Sequence, residues 1–360
     1  VAATEGRAKY NSSVAEGDRS IYKGLTYWSP NINIFRDPRW GRIAESAGED
    51  PCLTSAMGAA MVKGYQGEGA DDPTSVAACA KHFVGYGASE SGRDYNSTYL
   101  TERQLRNVYL PPFEQAVRSG AMTLMTSFND NDGIPSTGNR FLLEEVLRNE
   151  WGFDGMVVTD WNSAGEMVSH GFAADTKDAA MKAINAGVDM DMMSHVFSLH
   201  LEDLIDEGKV DERRLDDAVR NILRVKFRLG LFENPYIDTA RIARVTYTPE
   251  HLEAARRTAE ESAVLLRNEG NILPLNASAL RSVLVAGPMA DAPAEQLGTW
   301  TFDGEPDHTV TPLAAIRAAY GDRLRIGYNP VAAYSREKIT AAKLAAFTAQ
   351  AASYDAILLF

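Results

Sequence analysis

Short apolar runs alternate with helix-like segments through residues 1–235. The strand candidates are 25–34, 76–83, 121–128, 155–160 and 188–192. Helical patterns lie between them near 50–65, 101–119, 140–150 and 175–186, and two more follow near 198–208 and 211–229. This alternation predicts a parallel sheet, because parallel neighbours need a long crossover that a helix supplies. Met156-Val157-Val158 is apolar at successive positions, as suits a strand buried on both faces. These make about five βα units, whereas a closed barrel needs eight. The pattern therefore predicts a TIM-like (β/α)8 barrel whose first strands lie upstream of Val1. An open doubly wound sheet is the alternative that alternation alone leaves standing.

Residues 236–258 read as a linker after this first domain, entered through the turn Asn234-Pro235-Tyr236 and without a clear period. A second α/β module follows over 259–360, its first amphipathic helix spanning about 250–266. The run Ser282-Val283-Leu284-Val285-Ala286 predicts a buried strand that ends in the turn Gly287-Pro288. Helices are expected near 311–320 and 335–352, and a last strand over 354–360. The sequence opens on Val1 with no signal-like segment and closes on Phe360 inside an apolar run. Both ends predict a piece of something longer, with the second domain incomplete.

Charge limits the partners. Thirty-six basic against 49 acidic residues give a net charge of −13, which argues against a nucleic-acid or anionic-membrane surface. No apolar run reaches the length of about 18 residues that a membrane helix needs. Cys52 and Cys79 supply neither a disulfide framework nor a metal spacing. His170, His195, His200, His251 and His308 fit no His-Glu-x-x-His pattern. No metal site is evident, and no cofactor is expected.

The chemistry-bearing residues fall at the ends of the strand candidates. Asp160 and Trp161 end the run that begins at Gly155. A carboxylate beside a flat aromatic suits a sugar-cleaving site, although Asp160 could instead cap the next helix. Lys81-His82 closes Val76-Ala77-Ala78-Cys79-Ala80, and strand alternation predicts that one side chain faces inward and the other the loops. The segment 36–42 carries Arg36, Arg39 and Arg42 around a Pro-Gly turn. These can clamp hydroxyls, or staple a loop through Asp37, Glu45, Glu49 and Asp50. Gly85-Tyr86-Gly87 opens a loop that carries Arg93. It lacks the Lys-Ser/Thr of a phosphate cradle and reads as a flexible loop at the active face. Trp300 lies in a loop of the second module, where it is either core or an aromatic wall. Arg42, Lys81, His82, Arg93 and Asp160 would meet at one barrel rim. Cations around Asp160 would favour its ionised form.

Taken in order, these segments resemble glycoside hydrolase family 3, the β-glucosidase and β-xylosidase group. The likeness runs through Ser29-Pro30-Asn31-Ile32-Asn33-Ile34, residues 36–42, Gly48-Glu49-Asp50-Pro51, Lys81-His82-Phe83 and Arg148 to Gly155. It continues through Val158-Thr159-Asp160-Trp161, Ala186 to Met190, Val264 to Asn268 and Leu273-Pro274-Leu275. It covers nearly the whole chain. The resemblance implies a TIM-like barrel followed by an α/β sandwich domain. It also implies a retaining exo-acting β-glycosidase with Asp160 as nucleophile. Arg42, Lys81, His82 and Arg93 would hold sugar hydroxyls, and Trp161 and Trp300 would form aromatic walls.

The implied partner is a β-linked glucoside or oligosaccharide, with no nucleic acid, no membrane and room for a homodimer. The implied setting is periplasmic or secreted. In the family, an Asp that binds outer hydroxyls would lie upstream of Val1, and the acid/base Glu would follow a strand matching Asp355 to Phe360. Many members carry Tyr at the position of Phe128, and its hydroxyl contacts the nucleophile. Phe128 cannot make that bond.

Several alternatives stay open. One is a β-xylosidase. Another is a β-N-acetylglucosaminidase, against which the His-free loop Val84 to Gly92 counts. A third is a non-catalytic sugar-binding fragment.

Overall fold

The computed structural model describes residues 1–72, 74–233, 239–301, 304–334 and 336–360. They form two compact units, Val1–Glu261 and Ser262–Phe360. The sequence-predicted turn at Asn234-Pro235-Tyr236 lies outside the described residues, as does Ser335 at the start of one expected helix.

In the first unit, strands β1 (Thr26–Tyr27), β2 (Ala77–Phe83), β3 (Thr123–Thr126) and β6 (Met156–Val158) form a parallel sheet in the order β1-β2-β3-β6. A bridge from Val158 to Met190 carries the pairing one step further. A short antiparallel hairpin, β4 (Asp130–Asn131) and β5 (Ile134–Pro135), follows β3. The two faces of the sheet are separately covered. Ala78, Ala80, Leu124 and Val157 pack into one apolar cluster, whereas Ala77, Cys79, Met125, Met156 and Val158 pack into another. Burial on both faces explains why these strands are mostly apolar at successive positions. Among the described residues the sheet does not close on itself, so the structure shows the α/β parallel architecture without showing a ring of eight strands.

The helices fall close to their expected places, at Pro51–Gln66, Glu102–Arg118 (with a wider turn over Leu105–Tyr109), Phe141–Glu150, Thr176–Ala186, Val196–Asp206 and Glu212–Arg228. Pro51–Gln66 starts where Asp50 accepts from the N–H of Cys52 and Pro occupies the first turn. It ends on Gln66, whose side chain donates to the Gly120 carbonyl (2.7 Å) and accepts from the N–H groups of Ala78 and Met122. One buried amide thus ties the starts of β2 and β3.

Asp189 does comparable work beside the Val158–Met190 bridge, which is all that forms of the strand expected over 188–192. Its carboxylate accepts from Arg148 (2.6 Å), Arg214 (3.0 Å), Asn221 (3.1 Å) and the N–H of Val157 (2.8 Å). The helix Ala2–Ala15, which buries mainly small and polar residues, and the short helix Ser163–Ser169 after β6 were not foreseen. Within the stretch expected as a linker, 236–258, a helix forms at Ile242–Val245, and the helix expected over about 250–266 spans Pro249–Glu261.

The second unit is a parallel sheet in the order β8-β7-β9, with β7 (Ser282–Ala286) between β8 (Arg325–Asn329) and β9 (Ala356–Leu359). Val283 and Val285 face one cluster with Leu313, while Leu284 and Ala286 face another with Ala351. The helices Pro312–Tyr320 and Ala341–Ala351 provide the crossovers. β8 was not foreseen. Its residues, Arg-Ile-Gly-Tyr-Asn, are only half-buried and form no apolar run. Among the described residues, no helix is long and apolar enough to cross a membrane.

Candidate active site

Asp160 stands two residues beyond the end of β6, on a strand whose three residues are all buried. Its Oδ1 accepts from the N–H of Trp161 at 2.7 Å. The side chain does not cap the helix that follows: that helix begins after Asn162, with no side-chain cap. Asp160 is therefore held at a strand tip with no role at a helix end.

Strand β2, separated from β6 by β3, brings Lys81 and His82 toward it. Strand alternation predicted that only one of the two would point to the site. The register between β2 and β3 shifts between Ala80 and Phe83, which breaks the alternation there. As a result, His82 Nε2 lies 3.3 Å from Asp160 Oδ2. Lys81 and Asp160 feel each other's charge. Burial pulls the Lys81 ammonium below its usual range, Arg42 adds to this, and Asp160 and Glu45 oppose it. Burial also holds His82 well below the ordinary imidazole range, reinforced by Arg42 and Lys81, so the ring is neutral.

Of the three guanidiniums in 36–42, the structure singles out Arg42. Arg39 pairs with Asp37 in solvent, a contact worth little. Arg42 is mostly buried, with Nε and Nη2 each 2.8 Å from Glu45, and it lies over the Tyr86 ring. Burial works against its charge, but Glu45 outweighs burial and keeps Arg42 above its ordinary value. Glu45 also accepts from Asn31, which in turn accepts from Ser46. Its signal in the sequence was its spacing of three residues from Arg42. The spacing suggested a pair but could not say which arginine was paired inside.

The loop after β2 packs more tightly than its glycines suggested. Tyr86 is fully buried and meets His82 and Trp40 edge-on. A Cβ on Gly87 would sit 2.3 Å from the Ile34 carbonyl oxygen, so only glycine lets the loop approach so closely. Trp40 Nε1 donates to Asp94, pinning the far side of the loop. Arg93 stands exposed on this loop. Phe128 is buried, with the tilted rings of Tyr95 at 4.4 Å and Tyr86 at 5.7 Å. Trp161 remains 41% exposed beside Asp160. Trp300 is 57% exposed in the second unit, in the loop after β7.

The electrostatic outcome differs from the sequence expectation. The cations are present, yet burial dominates and pushes the Asp160 carboxyl up to about 6. The Trp161 N–H, Lys81 and Arg42 hold it lower than burial alone would. Glu166, half-buried in the helix after β6, is pushed up to about 7 by burial and by the charge of Asp160. Sequence reasoning missed it because that helix itself was not foreseen. Among the described residues, no group of three His, Cys, Asp or Glu side chains is placed to hold a metal ion.

Comparison with known proteins is consistent with this arrangement. Residues 17–225 match the Glycosyl hydrolase family 3 N terminal domain, and residues 263–360 match the Glycosyl hydrolase family 3 C-terminal domain. The chain is 41% identical over 321 residues to a periplasmic beta-glucosidase of Salmonella typhimurium, covering 86% of this chain and 41% of the relative. It is 38% identical over 339 residues to a beta-xylosidase of Formosa agariphila, covering 89% and 46%. A crystal structure of a beta-glucosidase from Listeria innocua in complex with isofagomine superposes with a TM-score of 0.85 at 36% identity. That match covers 99% of this chain and 49% of the other. The chain thus spans about half the length of the relatives it matches.

Proposed function

The chain belongs to glycosyl hydrolase family 3, and from that premise we propose that the whole protein is a retaining, exo-acting β-glycosidase with Asp160 as its nucleophile. It would release a terminal β-D-glucosyl residue from β-glucosides or oligosaccharides. The observation that carries this reading is the setting of Asp160. It is a buried carboxylate at the C-terminal end of a parallel strand, with His82 3.3 Å from one oxygen and the Trp161 N–H on the other. Lys81 and Arg42 lie within its field. Ligands in parallel α/β folds bind at that end of the strands.

In this mechanism an Asp160 oxygen attacks the anomeric carbon. The bond to the leaving oxygen breaks as a second carboxylic acid protonates it. Water then attacks the glycosyl-enzyme, gives its proton to that second carboxylate and frees Asp160. The second carboxyl is assigned to none of residues 1–360. Lys81, His82 and Arg42 would hold sugar hydroxyls in the cleaved-off subsite, with Arg93 reaching in from its loop. Trp161 would offer its exposed face to the sugar ring, and Trp300 would serve as a further aromatic wall. The parallel sheet of residues 1–235 is read as part of a TIM-like barrel, with 236–258 as linker and 259–360 as the start of an α/β sandwich domain. The printed name of the Salmonella relative supports a periplasmic or secreted setting.

A second reading, β-xylosidase, is favoured by the name of the Formosa relative. Hydrolysis of aryl β-glucoside, β-xyloside and β-N-acetylglucosaminide by the full-length protein separates the three activities. The same assay yields a pH prediction. Asp160 attacks only when ionised, so kcat/KM should rise with pH through about 6, the value to which burial pushes this carboxyl. A limb near pH 4 would mean that burial does not govern Asp160.

A further inference from the structure

His82 has two ring nitrogens, and the structure surrounds both with donors. Asn33 Nδ2 lies 2.8 Å from His82 Nδ1, and Arg42 Nη2 lies 3.0 Å from His82 Nε2. A neutral imidazole has one N–H and one lone pair, so only one of these donors can be satisfied by the ring. The Asn33 amide decides which. Its Oδ1 accepts the backbone N–H of His82 at 3.1 Å, so its Nδ2 must be the end that faces the ring. Asn33 and His82 are only 2% and 1% exposed, so no solvent competes for either contact. Asn33 is itself held in place, because its own N–H donates to Asn31 Oδ1 at 3.2 Å.

With the lone pair at Nδ1 committed to Asn33, the ring proton belongs on Nε2. Arg42 Nη2 cannot donate to that N–H, but it has Glu45 Oε2 at 2.8 Å. Asp160 Oδ2 is buried and makes no hydrogen bond, although Nε2 approaches it to 3.3 Å. We propose that Asn33 is a positioning residue: it holds His82 in the Nε2–H tautomer, so that the ring presents a donor, and not a lone pair, to Asp160 Oδ2. The Trp161 N–H bonds Oδ1, and the ring N–H would be the donor that stands next to the unbonded Oδ2. Second-layer groups set ring tautomers at metal sites in the same way. The inference rests on the reading of Asp160 as nucleophile only for its catalytic consequence. The tautomer itself does not depend on that reading.

The test is ring-nitrogen NMR on the histidine-labelled full-length protein, with the His82 signals identified by their loss in His82→Gln. The wild type should show an unprotonated Nδ1 and a protonated Nε2. In Asn33→Asp the new carboxylate accepts from the ring, so Nδ1 should become protonated, whether the ring is neutral or cationic. A wild-type ring protonated at Nδ1, or an Nδ1 unchanged in Asn33→Asp, overturns the proposal. Kinetics give the second readout. Asn33→Leu should lower kcat about tenfold or more, because the ring donor beside the nucleophile is lost, while KM changes too insofar as His82 also holds sugar hydroxyls. An equal fall in kcat/KM through KM alone would make Asn33 a substrate-binding support. If Asp160→Ala retained activity while the NMR result held, the nucleophile reading would fail and the tautomer would stand.

Discussion

Replacing Asp189 by alanine is expected to destabilise the protein by about 3–5 kcal/mol, the range for breaking a buried ion pair from one side. The Asp189 carboxylate is wholly buried and takes four donors, including two guanidiniums. Burial already pulls Arg148 below its usual value, with Asp189 opposing. Without the carboxylate, two partly buried cations would face each other unneutralised, and the N–H of Val157 would lose its acceptor. Asp189→Asn should cost less, because an amide oxygen can still accept from Val157 while the charge is lost. The urea midpoints of both variants check this, and a loss under about 1 kcal/mol for Asp189→Ala would contradict it. The consequence reaches the site, since Val157 lies on the strand that ends at Asp160. Activity in Asp189→Asn should therefore fall before the global fold is lost.

The second large effect is on rate. Asp160→Ala should lose about 10⁴-fold or more in kcat, since no covalent intermediate can form without the carboxylate. Asp160→Asn should be similarly inactive at early times while leaving the fold intact. The stability sign follows from the raised carboxyl. A folded-state value of about 6 against an ordinary 3.8 means that its contribution is fully present below 3.8 and is lost as pH rises through 6. At neutral pH the ionised Asp160 is thus a cost to the fold. Asp160→Asn should melt no lower than the wild type at pH 7, and its melting temperature should lose the decline between pH 4 and 6 attributable to this group. A fold that collapses in Asp160→Asn would show that the cations around Asp160 need its charge more than burial resists it. Such separation of rate from stability is common where a site holds a buried charge for function.

The parallel α/β architecture was legible because both faces of the first sheet are buried, so β2, β3 and β6 are mostly apolar along their length. β8 left no apolar run, being half-exposed and broken by Gly327. The helix Ala2–Ala15 escaped because it packs through Ala3, Gly6 and Ala8, which give no apolar stripe. At the site, the positions of Asp160, Lys81, His82 and Arg42 at strand ends were readable from residue type. What each one meets was not readable. The break in register between Ala80 and Phe83, which turns Lys81 and His82 to the same carboxylate, has no mark in the sequence. Glu45 resembled any other acid in a charged loop until the fold buried it against Arg42. Asn33 looked like one polar residue in an apolar strand, and only the two contacts of its amide show which ring nitrogen it controls. Cations near Asp160 suggested an easily ionised carboxyl, but pattern alone cannot weigh charge against burial.

The most direct test of Asp160 as nucleophile is covalent capture. A 2-fluoro β-glucoside with a good leaving group slows breakdown of a glycosyl-enzyme more than its formation, so the intermediate should accumulate on the full-length protein. Peptide mass spectrometry should then find one fluoroglucosyl group on the peptide containing Asp160, and none in Asp160→Asn. The label on a different carboxylate, or turnover with inversion and no label at all, would contradict the account.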